Sequence, residues 1–276
     1  MTLSTFDTAN RLSRRAFLAG AATIAAPSLL PAGDAPVRKA KVVRVFKSPE
    51  GYPNALETVK EGFWIGEQIT DRAHLVDFKG KLLKSVNTES SNTSGIAYGG
   101  GFLWMGANGW PIRRDRKPTD SGTGAVIKVD PDTGKTVARY PIPGGGGVHG
   151  LEYANDTLWI TSLKIQKLSQ VDPKDFRLIH QIPVSLGRAH GLAWVYDGPG
   201  AGSIWCMFSN DRVIHRIDAK DGKVLEVIQL SPEDPDPHGM SLYNGHLYYC
   251  DAGIAPGAQD TNSPARGYVC RVDIVS

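Results

Sequence analysis

Three histidines in this 276-residue chain share one local setting: His149-Gly150-Leu151, His190-Gly191-Leu192 and His238-Gly239-Met240. Imidazole exchanges protons near neutral pH and is the commonest protein ligand for Zn, Fe, Cu or Mn. Three brought to one point would hold a divalent metal ion that activates water or polarises a carbonyl. Two further tripeptides have the same form with an amide or hydroxyl in place of the ring, Asn54-Ala55-Leu56 and Ser94-Gly95-Ile96. Asn54 and Ser94 would suit a water or substrate oxygen. Glu67 and Asp251 follow the first and last of these five anchors at matching offsets. They are candidates for acid–base work, for metal ligation, or for orienting the histidine rings. The competing reading gives each histidine a backbone hydrogen bond to its neighbour and each carboxylate a turn to cap.

The elements that must position these residues are strands. After each anchor comes an aromatic-centred run: Phe63-Trp64-Ile65, Leu103-Trp104-Met105, Leu158-Trp159-Ile160, Ile204-Trp205-Cys206 and Leu247-Tyr248-Tyr249. A third strand, a tight polar turn and a fourth strand follow, as in Val126 to Asp130, Pro131-Asp132-Thr133-Gly134, and Thr136 to Ile142. Pro, Asp and Gly each meet a backbone demand of such a reversal. The anchors are spaced by 40, 55, 41 and 48 residues, and a four-stranded propeller blade takes roughly 40–50. Only three strands follow His238, ending at Tyr268 to Ile274, whereas Val42 to Phe46 stands alone ahead of the first repeat. The expectation is an all-β chain, a five-bladed β-propeller closed by an N-terminal strand (residues 41–47) in the last blade, which removes both exposed edges.

In that register the anchors meet at one depth around the axis, with glycine after the histidine relieving crowding. Glu67, Ala107, Ser162, Phe208 and Asp251 share a second level, with Asn108 and Ser209 next. Two connections at that face are long. Residues 108–123 carry Trp110 and the basic run Arg113-Arg114-Asp115-Arg116-Lys117, and residues 252–265 are rich in Gly, Pro and polar side chains. Asn108, Trp110 and Arg113 are therefore candidate substrate contacts. Lys164 reads as ordinary surface, and His74, His180, His215 and His246 lie outside the anchor register.

The fragments His-Gly-Leu, Leu158-Trp159-Ile160-Thr161 and Val129-Asp130-Pro131 with Thr133-Gly134-Lys135 resemble the YVTN, NHL and virginiamycin B lyase-like propellers. The resemblance covers nearly all of the chain after residue 35. It implies the architecture and leaves the activity open, because that group includes lyases, lactonases and binding scaffolds. Virginiamycin B lyase-like proteins have seven blades where this chain has room for five. Tyr52-Pro53-Asn54-Ala55-Leu56 and Phe63-Trp64-Ile65-Gly66-Glu67 are similar to the early motif of plant-type glutaminyl cyclotransferases, which implies a metal-free enzyme centred on Glu67.

Ser13-Arg14-Arg15-Ala16-Phe17-Leu18 ahead of a mild Ala- and Gly-rich apolar run resembles a twin-arginine export signal, and the run is too weakly apolar for a membrane span. Residues 1–35 are read as this signal and 36–276 as one propeller domain in the periplasm or outside the cell. Net charge is +3, with no concentrated basic face to suggest a nucleic-acid partner. Cys250 and Cys270 fall on neighbouring strands and could pair, with Cys206 alone; three buried thiols are the alternative. The functions expected are a metal-dependent lyase or hydrolase acting on a small polar molecule, a cyclotransferase-like enzyme, or a non-catalytic scaffold; a monomer is expected throughout. Replacing Arg14 and Arg15 by Lys should leave the precursor in the cytoplasm on a fractionation blot, and unchanged export would contradict the signal.

Overall fold

The computed structural model describes residues 35–112, 114–162, 164–197, 202–252 and 267–275. The export signal, Arg113 and most of the 252–265 connection lie outside the described residues. Among the described residues every regular element is a strand, and no helix is long and apolar enough to cross a membrane.

Three four-stranded antiparallel sheets run in chain order: β2 (Pro53–Val59) to β5 (Leu82–Asn87), β6 (Thr93–Gly99) to β9 (Thr136–Pro141), and β10 (Val148–Ala154) to β13 (Leu178–Pro183). An eight-stranded sheet joins two more such units. It runs from β14 (Ala189–Tyr196) to β17 (Val224–Gln229), then β1 (Val37–Lys47), then β20 (Tyr268–Val275), β19 (His246–Asp251) and β18 (Pro237–Tyr243). The early strand β1 is thus flanked by β17 and β20. Val42 pairs with Val272 and Phe46 with Val269 in antiparallel register, while Val37 to Lys39 pair in parallel with β17.

Neighbouring first strands touch one another: β2 with β6, β6 with β10, β10 with β14, β14 with β18, and β18 with β2. The second strands are buried on both faces, which explains their run of aromatic and branched residues in place of alternation. Trp104 and Trp159 are almost wholly buried. At 150–250 Å² per aromatic side chain, each contributes at most about 4–6 kcal/mol of burial. Apolar clusters fill the gaps between consecutive units. The one between β18–β20 with β1 and the first sheet consists of Phe46, Leu56, Phe63, Ile65, Val76, Tyr248, Cys250 and Val269.

The turns between third and fourth strands form as their sequence predicts. Asp130 Oδ1 accepts the amides of Asp132 and Thr133, and Gly134 closes the turn at φ +74°. In the third sheet a left-handed position in the corresponding turn is held by Phe176 at φ +60°, stacked on Tyr140 at 4.4 Å. The three cysteines are free and buried. Cys250 lies opposite Val269, and Cys270 opposite Tyr249. A one-residue offset sends the two thiols to opposite faces of the sheet, so the expected pairing of Cys250 with Cys270 does not form.

At the axis, glycine works through space, not dihedral freedom. A Cβ on Gly150 would lie 1.9 Å from the carbonyl oxygen of His190, one on Gly191 2.2 Å from the amide nitrogen of Met240, and one on Gly239 2.4 Å from Cα of Ala55. Gly150→Ala should therefore lower stability by about 1–3 kcal/mol in denaturant titration. Gly51→Ala, whose new methyl would meet nothing within 4 Å, should change it by less than about 0.5 kcal/mol. Equal effects would contradict the close approach.

Candidate functional site

Each first strand begins with a register shift against its second strand, between Pro53 and Ala55, Thr93 and Gly95, Val148 and Gly150, Ala189 and Leu192, and Pro237 and Met240. The extra residue of each bulge includes an anchor: Asn54, Ser94, His149, His190 or His238. A bulge releases a residue from the ladder and re-aims its side chain. All five are buried. Opposite the residue before each anchor the second strands present Glu67, Ala107, Ser162, Phe208 and Asp251. Below this level the axis is plugged by Leu56, Ile96, Leu151, Leu192 and Met240 and has no room for a water molecule.

The anchors join in two groups. Asn54 Nδ2 donates to Ser94 Oγ at 2.8 Å and to the Thr93 carbonyl at 3.2 Å. The second group is a line: Asp236 Oδ2 meets His238 Nε2 at 2.8 Å, and His238 Nδ1 meets His190 Nε2 at 3.1 Å. His149 stands edge-on to His190 with ring centroids 5.0 Å apart. Nδ1 of His149, Nδ1 of His190 and Oδ1 of Asn54 are buried with no hydrogen-bond partner among the described residues. Arg188, half-buried at φ +53°, donates to Asn210 Oδ1 at 3.1 Å.

Burial, with the charges of Arg188 and His238 adding to it, lowers His149 to about 3. His190 is pushed well below its ordinary value, first by burial and then by His238, His149 and Arg188. Both are neutral at physiological pH, with lone pairs to accept a proton or a metal. Arg188 is itself lowered by burial, which the Asp236 carboxylate opposes.

Among the described residues the carboxylate that meets an axial histidine is Asp236, two residues ahead of its anchor, in Asp234-Pro235-Asp236-Pro237-His238. That spacing was readable, since Pro237 fixes the backbone between the two side chains. Arg188, likewise two residues before its anchor, was also missed. Glu67 serves its own turn: Oε1 accepts the Tyr52 amide at 2.8 Å, and Oε2 accepts the amides of Ile69 at 2.7 Å and Thr70 at 2.8 Å. Burial nonetheless raises its carboxyl, with these amides opposing. Asp251 is fully buried opposite Pro237. Asn108 and Trp110 sit apart from the axial line. Asn108 lines a groove between the second and third sheets, and half-exposed Trp110 carries the Arg116 guanidinium 3.8 Å from its ring. In the basic run Arg114 turns inward, paired with Asp71 and Asp120.

Two buried carboxyls lie further along the first strands. Glu57 accepts from the Tyr98 backbone and Glu152 from that of Trp194. Burial raises both carboxyls, Glu152 to about 8, and the nearby Glu152 raises Glu57 further.

The depressed histidines set a pH dependence. Below the ordinary value of 6.5 the unfolded chain binds protons that native His149 refuses. Stability therefore falls as pH drops from 6.5 toward about 3, by up to about 1.4 kcal/mol per pH unit. The raised Glu57 and Glu152 act oppositely: each loses stability as pH rises above 4.5, Glu152 until about 8. A His149→Gln variant isolates the histidine. Between about pH 7 and pH 4.5 its stability should fall by about 2–3 kcal/mol less than that of the parent, and an equal fall would contradict a buried neutral His149.

No family model and no curated protein matches the chain. Among solved structures, a glutaminyl cyclase from Myxococcus xanthus is similar at a TM-score of 0.62 and 14% identity, covering 88% of this chain and 100% of that one. A streptogramin B lyase is similar at a TM-score of 0.49 and 12% identity over 86% and 98% of the two chains. The Cps50 (Swd1) beta-propeller domain of Myceliophteria thermophila gives 0.43 and 14% over 77% and 65%. At such identities the likeness concerns the fold alone. Four-stranded antiparallel units whose first strands meet side by side, the last again touching the first, identify the chain as a β-propeller.

Proposed function

We propose that this chain is an exported, monomeric enzyme, a five-bladed propeller over residues 36–276 closed by β1. It performs lyase- or hydrolase-type chemistry on a small polar molecule at the mouth that holds the axial histidines. The closure rests on β1 lying beside β20 and on the cluster it shares with the first sheet. Export rests on Ser13 to Leu18.

The observation that carries the reading is the line Asp236–His238–His190. Asp236 accepts the Nε2–H of His238, so His238 presents a lone pair at Nδ1. That lone pair accepts the Nε2–H of His190, leaving the unpartnered Nδ1 of His190 as the base. A proton taken there is matched by transfer of the Nε2 proton of His190 to His238 and of the Nε2 proton of His238 to Asp236. The line thus ends on a carboxylate 24% exposed to water. Arg188 stands beside it to hold an electron-rich part of the substrate, and Asn54 offers Oδ1 to a donor.

A divalent metal ion is a second reading with its own support. The 3.1 Å between His190 Nε2 and His238 Nδ1 suits two donors on one ion at roughly 2.0–2.1 Å, and Asp236 stands where an orienting carboxylate belongs. His149 would complete the set only after a turn of its ring, since no three His, Cys, Asp or Glu among the described residues converge on one point. Such an ion would supply Lewis acidity to a carbonyl or bound water. A cyclotransferase-like reaction centred on Glu67 finds support in the Myxococcus xanthus neighbour and in the raised Glu67 carboxyl.

A panel of lactones, small amides and peptides with an amino-terminal glutamine separates these readings, combined with metal analysis of the purified protein. His190→Ala should cost about 10²–10⁴-fold in kcat/KM, and Asp236→Asn about 10–100-fold. Full activity in His190→Ala with loss in Glu67→Gln would move the chemistry to the cyclotransferase reading. One equivalent of metal that disappears in the His190→Ala/His238→Ala variant would establish the metal.

A further inference from the structure

Between the second and third sheets lies an open groove of about 780 Å³, within the range of small-molecule sites, about 300–1,000 Å³. It is separate from the axial line, although its glycine wall leads directly into His149. We infer that this groove binds a small organic anion, a carboxylate or phosphate carried on a flat apolar body.

Among the described residues the charge of the groove has one sign: Arg139 and Lys164 are its charged liners, and no described carboxylate lines it. Arg139 is held by Nη2, which donates to the Glu89 carbonyl at 2.9 Å and more weakly to that of Thr119 at 3.5 Å. Lys164 lies along the glycine run, its Nζ 3.4 Å from where a Cβ on Gly145 would be.

The shape of the groove depends on the missing side chains. Gly144, Gly145 and Gly146 have φ of +81°, +75° and +96°, a conformation that few other residues adopt. A Cβ on Gly124 would lie 2.2 Å from the Gly146 carbonyl oxygen, and one on Gly147 1.5 Å from Asn108 Oδ1. Ser162 Oγ, donating to the Gly145 carbonyl at 2.8 Å, ties the run down. The walls are thus rigid backbone.

The apolar surface comes from Pro141, Ile142 and Tyr140, the last fixed by its stack on Phe176 at 4.4 Å and 5° between planes. A fixed aromatic and two cations without carboxylate partners in the groove select a ligand with both an apolar plane and a negative charge.

Isothermal titration at low salt with phenyl phosphate, benzoate, benzyl alcohol and inorganic phosphate tests the inference. Phenyl phosphate or benzoate should bind with Kd below about 1 mM, and benzyl alcohol and inorganic phosphate at least about tenfold more weakly. Whichever of phenyl phosphate and benzoate binds tighter names the anionic group. The Arg139→Gln/Lys164→Gln variant, folded by its unchanged melting temperature, should lose at least about tenfold in affinity. His238→Ala should stay within about twofold of the parent, even if the axial chemistry proposed above is wrong. No binding at about 10 mM, equal affinity in the double variant, equal binding of inorganic phosphate, or loss in His238→Ala would each overturn the assignment.

Discussion

Around the axis, neighbouring first strands approach until backbone meets backbone, with 1.9–2.4 Å between the nearest atoms and any Cβ on Gly150, Gly191 or Gly239. This approach sets the depth of the five anchors. Once the glycines are in contact, the bulged residue just before each has the channel mouth as its outlet. Leu56, Ile96, Leu151, Leu192 and Met240 seal the axis beneath. The result is a blind polar layer over an apolar plug, and its chemistry follows from its dryness.

Dryness keeps His149 and His190 neutral, since a charged ring there would lose its hydration without a carboxylate in contact to replace it. Neutral rings must find donors and acceptors among themselves, which they do in the bond between His190 and His238. Asp236, less buried, fixes the order of protons along the line. The same economy governs the carboxylates. Glu67 collects three amides, and Asp71 shares Arg114 with Asp120. Both of these buried carboxylates are thus matched by local hydrogen bonds or an ion pair.

Much of the architecture was legible because a repeat reports its own register. The aromatic second strands and the Asp130-type turns formed where the repeat put them, and Val42 to Phe46 pair beside β20. Side-chain partnerships were less legible. Cys250 and Cys270 sit on adjacent strands, but strand alternation turns their thiols apart, and register is fixed to one residue only in the folded sheet. Asp236 and Arg188 are harder to read from the repeat, because both lie two residues ahead of an anchor and outside the register of the second strands. Within the basic run from Arg113 to Lys117, Arg114 is consumed inside by Asp71, 43 residues away, and by Asp120.

The order of protons along Asp236, His238 and His190 is the centre of this account, and nitrogen-15 NMR of histidine-labelled protein reads it directly. At neutral pH the account predicts His238 protonated at Nε2 and His190 protonated at Nε2 with a bare Nδ1. It also predicts that both His149 and His190 remain neutral well below pH 6.5. A His238 ring protonated at Nδ1, or His149 and His190 titrating at the ordinary value, would contradict it.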